Sequence, residues 1–165
     1  MASARVLSAL EAVAGLHLPV GERTELVRAL AGTVPGGGVL LGHASFGVLD
    51  LDRSVRFYDD VLRPLEYERA WTSPRGVEYG VAGGNGTFAL FVKPDASPPG
   101  AGFHFAFNAP SEQAVDAFFA AALQHGGRDL GRPGKRPQYG PTYYAAFVSD
   151  PDGYKLEAVY QERSA

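Results

Sequence analysis

Apolar residues in the middle of the chain change from strand-like to helix-like spacing near residue 50. The run VLLGHASFGV, residues 39–48, is typical of a buried strand, and Asp50 stands where a helix N-cap is expected. The apolar positions that follow keep helical spacing: Leu51, Val55, Tyr58 and Leu62. Pro64 predicts the end of this helix. The pattern therefore predicts a strand followed by an amphipathic helix.

Three further strand candidates follow this helix, separated by Gly, Asn and Pro. They are LEYERAWT (65–72), GVEYGVA (76–82) and GTFALFVK (86–93). Residues 95–102, DASPPGAG, then form a linker for which no regular structure is predicted. The first half of the chain is thus expected to contain one strand, one helix and three more strands.

The second half begins in the same way. FHFAFNA (103–109) predicts a strand, and Ser111 can cap a helix that ends at Gly126 and Gly127. A basic loop, GRPGKRPQYGP (131–141), is expected next. It is followed by the strand TYYAAFVS, the turn SDPDG and the final strand YKLEAVY.

A constant offset of 61 residues aligns the two halves. The matched pairs are His43 with His104, Phe46 with Phe107, Phe57 with Phe118, Tyr58 with Phe119, and Leu62 with Leu123. Five matches inside elements of the same type indicate an internal duplication. We therefore predict an α+β domain over residues 39–161, built from two βαβββ modules at about 39–94 and 101–161. The modules are expected to pack side by side around a shared cleft.

Residues 1–38 have a different character. Apolar residues at helical spacing, interrupted by GLHLPVG and closed by GTVPGGG, predict a helical arm and a Gly-rich linker. Such an arm would cover a sheet or a dimer seam, and no chemistry is predicted for it.

Composition narrows the classes of function. The 165 residues carry a net charge of -3, which gives no electrostatic reason to expect nucleic acid or an anionic membrane as partner. No apolar run is long enough to cross a bilayer, and the N-terminus makes a poor secretory signal, so a cytoplasmic location is expected. The chain has no cysteine, which leaves His and carboxylate side chains as candidate metal ligands.

Two histidines occupy equivalent positions on the first strand of each module. Strands rich in Val, Leu and Phe seldom carry histidine, so His43 and His104 need an explanation. If a pseudo-twofold axis relates the modules, the two imidazoles approach each other across the cleft. Glu157 lies mid-strand, where a carboxylate directed into the concave face is costly unless it is paired or metal-bound. Two alternatives stay open: core histidines bonded to backbone groups, and a Glu157 that faces solvent at a sheet edge.

Three segments together resemble a known family. GHASFGVLDLDRSVRFYDDVL (42–62), HFAF (104–107) and SDPDGYKLEAV (149–159) are similar to the glyoxalase, bleomycin-resistance and dioxygenase group, the vicinal oxygen chelate superfamily. The resemblance covers residues 39–161. It implies that the two modules curl into a cupped mixed sheet, with a divalent metal ion (Fe, Mn, Zn or Ni) bound inside the cup by His43, His104 and Glu157. In glyoxalase I enzymes the last strand of the first module also donates a carboxylate, but here Ala89 takes that position.

This set of two histidines and one glutamate suits non-haem Fe(II) and also Mn(II). Within the family, the resemblance implies a metal-dependent lyase, dioxygenase or transferase that acts on a small oxygenated molecule, in a homodimer. Extradiol dioxygenases carry a further base histidine that this chain lacks. The cationic residues of fosfomycin-resistance enzymes are not matched either. The alternative is a metal-free drug-binding protein of the bleomycin-resistance type.

Hydroxyl groups are the candidates for orienting substrate or transferring protons. Ser45 follows the first predicted ligand by two residues, as in the fosfomycin-resistance enzymes. Tyr143 and Tyr144 flank the start of the penultimate strand, where alternation allows only one of them to face the cup. The loop cations, Arg132, Lys135 and Arg136, would meet an anionic substrate at the mouth, although solvated loop charge is the alternative.

Overall fold

The computed structural model describes residues 42–82 and 86–162. The predicted arm, residues 1–38, lies outside the described residues. In the described part, two βαβββ modules follow one another, which confirms the predicted α+β fold class. No helix in these ranges is long and apolar enough to span a membrane.

The first module contains a four-stranded mixed sheet with one helix. Its elements are β1 (Ala44–Val48), α1 (Leu51–Leu62), a 3-10 turn (Arg63–Leu65), β2 (Tyr67–Ser73), β3 (Gly76–Val81) and β4 (Phe88–Val92). The strand order is β1-β4-β3-β2. Strands β1 and β4 are parallel, and the other pairs are antiparallel.

The second module repeats this topology. Its elements are β5 (Phe105–Asn108), α2 (Glu112–Gln124), β6 (Arg128–Lys135), β7 (Tyr144–Ser149) and β8 (Lys155–Tyr160). The strand order is β5-β8-β7-β6, and β5 and β8 are parallel. Because β5 and α2 each begin 61 residues after β1 and α1, the offset read from the sequence is confirmed by the structure.

Both helices begin at the predicted caps. The Asp50 side chain accepts a hydrogen bond from the backbone N of Arg53 at 3.0 Å. The Ser111 hydroxyl accepts one from the backbone N of Ala114 at 3.1 Å. Each bond satisfies an amide of the first turn that has no partner within the helix. Pro64 lies in the 3-10 turn directly after α1, where it prevents the helix from continuing.

Strand β6 corrects the prediction of a loop over residues 131–141. The first five of these residues belong to the strand, which pairs with β7 at the edge of the sheet. Its register shifts between Asp129 and Gly131 and again between Gly131 and Gly134. These bulges break the alternation of apolar and polar residues, so the pattern did not reveal the strand. An edge position also accommodates Pro133, which has no amide to donate.

The two modules share one hydrophobic core on the helix side of both sheets. The ring of Phe88 in the first module lies 5.5 Å from Phe105 and 5.2 Å from Phe107 in the second, measured between centroids. Tyr154 stacks on Phe46 at 4.3 Å. Because the core faces of the two sheets contact each other, their opposite, helix-free faces are directed away from this core.

The turn between β7 and β8 binds the second module to helix α1. Tyr58 on α1 donates its hydroxyl to Asp150 Oδ2 at 2.7 Å, and the Ser54 hydroxyl bonds to Asp152 Oδ2 at 3.0 Å. Arg53 forms an ion pair with Asp152. Asp150 Oδ1 also accepts the backbone N–H of Tyr154 at 2.8 Å. Burial raises the pKa of Asp150, and these hydrogen bonds only partly oppose the effect.

Candidate metal site

Strand pairing brings two of the three predicted ligands to the same sheet face. Strand β8 lies between β5 and β7, and Glu157 pairs with Ala106 of β5. The neighbours of Glu157, Leu156 and Ala158, belong to the core, so alternation directs Glu157 to the helix-free face. His104 immediately precedes β5 and alternates in the same way with Phe105, which packs against the core.

The imidazole and the carboxylate are in direct contact. His104 Nε2 lies 2.9 Å from Glu157 Oε2, and the Tyr143 hydroxyl donates to Glu157 Oε1 at 2.7 Å. Glu157 is 2% exposed, whereas the His104 side chain is 43% exposed. Glu157 is therefore a buried, paired carboxylate on a central strand, and the alternative of a solvent-facing edge residue is wrong. For His104, the partner is a carboxylate rather than a backbone group.

Tyr143 keeps its proton and acts as the donor in this contact. Burial and the neighbouring carboxylate of Glu157 both raise the pKa of Tyr143, because each disfavours the phenolate. Tyr144, the next residue, lies on the opposite face and donates to Asp116 of helix α2 at 2.9 Å. Of the two predicted tyrosines, only Tyr143 contacts a candidate ligand.

An open cavity of about 530 Å³ gives access to this pair. Its wall includes Phe147, Lys155 and Arg136 in addition to His104, Glu157 and Tyr143. Of the predicted basic loop, Arg136 lines the cavity, whereas Arg132 is exposed and forms an ion pair with Asp129. Sequence reasoning missed Phe147 and Lys155. Strand alternation could have indicated both, because they pair with or share a face with Glu157.

His43 and Ser45 lie in the first module. Both residues are exposed at the start of β1, on the face opposite the core residue Phe46. Within residues 42–82 and 86–162, no three His, Cys, Asp or Glu side chains are grouped so that they could hold one metal ion. A single chain therefore brings together His104 and Glu157, and His43 does not join them.

The fourth ligand position of glyoxalase I enzymes is apolar here. Ala89 of β4 pairs with Ser45 of β1, just as Glu157 of β8 pairs with Ala106 of β5. The structural equivalence of Ala89 and Glu157 agrees with the sequence comparison. Glu78 of β3 pairs with Ala89, so the first module carries a carboxylate at this level of the sheet on the neighbouring strand instead.

The donors present suit a divalent ion but are incomplete within one chain. An imidazole and a carboxylate are the ligands that Fe(II), Mn(II) and Zn(II) accept in proteins. A hydrogen bond from Tyr143 that orients the carboxylate is typical of residues around metal ligands. Because only two of the three predicted ligands meet in one chain, the set lacks the imidazole of His43.

Comparisons with known proteins agree with this fold. A sequence model of the Glyoxalase/Bleomycin resistance protein/Dioxygenase superfamily matches residues 40–158. A probable lactoylglutathione lyase of Synechocystis sp. is 29% identical over 126 residues, which cover 73% of this chain and 95% of that protein.

Solved structures give the same result. A glyoxalase/bleomycin resistance protein from Albidiferax ferrireducens has a TM-score of 0.65 at 31% identity, covering 74% of this chain and 99% of that one. A fosfomycin resistance protein from Listeria monocytogenes has a TM-score of 0.56, covering 74% and 93% of the two chains. At its 18% identity, this second likeness shows the fold alone.

Proposed function

The chain belongs to the glyoxalase, bleomycin resistance protein and dioxygenase superfamily, and on that basis we propose that it is a metal-dependent enzyme acting on a small oxygenated molecule. The proposed metal ligands are His104 and Glu157 of one chain and His43 of a second copy, in a homodimer. The contact between the His104 imidazole and the buried Glu157 carboxylate at the cavity wall carries this proposal.

The outward direction of the two helix-free faces supports a shared site. His43 stands on that face of the first sheet and His104 on that of the second, while the core faces contact each other within the chain. A second copy related by a twofold axis can present its first module to the second module of this chain. In a closed dimer both such contacts form, so two equivalent sites result.

The chain's own residues have distinct roles in this proposal. A bound metal ion would supply a Lewis acid that holds neighbouring oxygens of the substrate. Tyr143 fixes the orientation of Glu157 through its hydroxyl and, at neutral pH, remains a proton donor. Ser45, on the face that carries His43, would enter the site from the second copy. Tyr144 has no such role, because it bonds to helix α2.

The alternative is a metal-free protein that binds an aromatic drug, as in the bleomycin-resistance branch of the family. Two observations favour it: the aromatic lining contributed by Phe147, Tyr139 and Tyr143, and the fact that only two of the three predicted ligands meet in the described part of one chain. It differs from the first proposal in one measurable way, because metal retention should then be absent.

Metal analysis of protein purified without chelator tests the proposal. We expect about one Fe, Mn, Zn or Ni ion per chain, lost in His104→Ala, Glu157→Gln and His43→Ala. His125→Ala is the matched control, because that imidazole bonds to Asp60 between the helices at 3.0 Å. A wild-type protein that retains no metal after reconstitution would contradict the proposal and favour the drug-binding alternative.

Mixed dimers test whether the site is shared. In a dimer of one His43→Ala chain and one His104→Ala chain, one site loses both histidines and the other keeps all three ligands. We expect about half of the wild-type metal content in this mixed dimer and almost none in either parent dimer. Mixed dimers as empty as their parents would show that His43 and His104 do not serve the same ion from different chains.

A further inference from the structure

Two cations line the cavity beside Glu157 and have no carboxylate partner in the described part of the chain. Among residues 42–82 and 86–162, neither Arg136 nor Lys155 forms an ion pair with an acidic side chain. Both nevertheless line the cavity. Glu157 forms no ion pair with either cation, and its two oxygens contact His104 and Tyr143 instead. The two cations therefore outnumber the single carboxylate in this wall. The wall therefore offers positive charge to whatever enters.

Both cations lie against the same aromatic ring. Arg136 Cζ is 5.8 Å from the centroid of Phe147, and Lys155 Nζ is 5.0 Å from it. Phe147 pairs with Glu157 across β7 and β8, so the ring stands next to the candidate metal ligand. A ligand that contacts both cations inside the cavity can therefore also pack on this apolar, planar surface.

A hydrogen bond within the chain restrains Arg136 before any ligand arrives. Its Nη2 donates to the carbonyl of Arg132 at 2.7 Å, a bond that holds the guanidinium against β6. A Cβ at Gly134 would lie 3.3 Å from Arg136 Nη1, and one at Gly131 would lie 3.1 Å from Phe147 Cδ2. The glycines of β6 thus leave room for both groups. A guanidinium held in this way loses little side-chain freedom on binding.

We infer that Arg136 and Lys155 form a carboxylate-binding subsite, and that the molecule acted on carries a carboxylate beside an unsaturated or aromatic part that packs on Phe147. This inference deepens the proposed function and rests on it for the reaction, but the binding itself needs no metal. Arginine prefers carboxylates because its planar donors match the two oxygens.

Benzoate and benzamide test the inference, since they have the same shape and differ in charge. Binding is measured by NMR titration of the full chain at neutral pH after metal removal with EDTA. We expect benzoate to bind at least about ten times more tightly than benzamide. Arg136→Gln and Lys155→Gln should each lower the affinity for benzoate about tenfold and leave the affinity for benzamide unchanged.

The same loop supplies matched controls. Arg132→Gln and Lys135→Gln remove the same charge outside the cavity lining and should leave benzoate affinity unchanged. Equal affinities for benzoate and benzamide, or no binding of either, would overturn the inference. The inference would also be overturned if the control variants lost as much benzoate affinity as Arg136→Gln, because the loss would then reflect the overall charge of the protein.

The metal state separates this inference from the proposed function. Preference for benzoate in EDTA-treated protein supports the subsite whether or not the chain binds metal. Benzoate that binds only after metal is restored would mean that the ion holds the carboxylate. That outcome would overturn the subsite and leave the metal proposal standing.

Discussion

Replacing Phe88 with alanine should destabilise both modules, because the ring packs against residues of both. Phe88 is 1% exposed, and its ring lies 4.9 Å from Phe46, 5.2 Å from Phe107 and 5.5 Å from Phe105. Truncation of a buried phenylalanine costs about 3–5 kcal/mol, and the number of aromatic neighbours places Phe88→Ala near the upper end. Domains of this kind have total stabilities of about 5–15 kcal/mol. The variant is therefore expected to lose a third or more of its free energy of unfolding.

Urea unfolding followed by circular dichroism measures this loss. Phe91→Ala is the matched control, since Phe91 lies on the same strand but on the opposite face, where its ring neighbour is Trp71 at 6.5 Å. The control should cost about 1 kcal/mol or less. We also expect Phe88→Ala and Phe105→Ala to be coupled by about 0.5–1.5 kcal/mol in a double-mutant cycle. Equal losses for the two strand β4 variants, with no coupling, would refute a shared core.

Two further predictions concern the turn and the site. Since burial raises the pKa of Asp150, the folded state holds that proton more tightly than the unfolded state, and ionisation costs stability as the pH rises above 3.8. The stability of Asp150→Asn relative to wild type should therefore increase in thermal denaturation as the pH rises above 3.8, and a difference that does not change with pH would contradict this expectation. Tyr143→Phe should weaken metal binding about 10- to 100-fold in calorimetric titrations, because Glu157 loses its hydroxyl partner. The control, Tyr144→Phe, should leave the metal affinity unchanged. Equal metal affinities for wild type and Tyr143→Phe would show that the Tyr143 hydroxyl does not support metal binding.

The features that the sequence predicted correctly depend on local spacing. Asp50 and Ser111 were identifiable as caps because a cap bonds within three residues of itself. The duplication was visible because the same elements recur at one offset. For Glu157, alternation with Leu156 and Ala158 left a solvent-facing edge position open, and only the strand order and burial in the structure exclude it.

The features that the sequence did not predict depend on contacts between segments far apart in the chain. The repeat could not reveal which faces of the modules meet, and that choice decides whether His43 reaches His104 within one chain. The faces that meet are set by the aromatic packing around Phe88, which joins residues of different modules. The sequence pattern did not predict strand β6, because its bulges interrupt the alternation of apolar and polar residues. The cavity formed by Arg136, Phe147 and Lys155 joins separate strands and has no signature in any one of them.

Tyr154 directly precedes the strand that carries Glu157, yet its hydroxyl bonds to the carbonyl of Gly47 at 2.9 Å in the other module. The first module therefore anchors the start of the strand that carries Glu157. An isolated second module would keep the pairing of β5 with β8 but would lose this anchor beside Glu157.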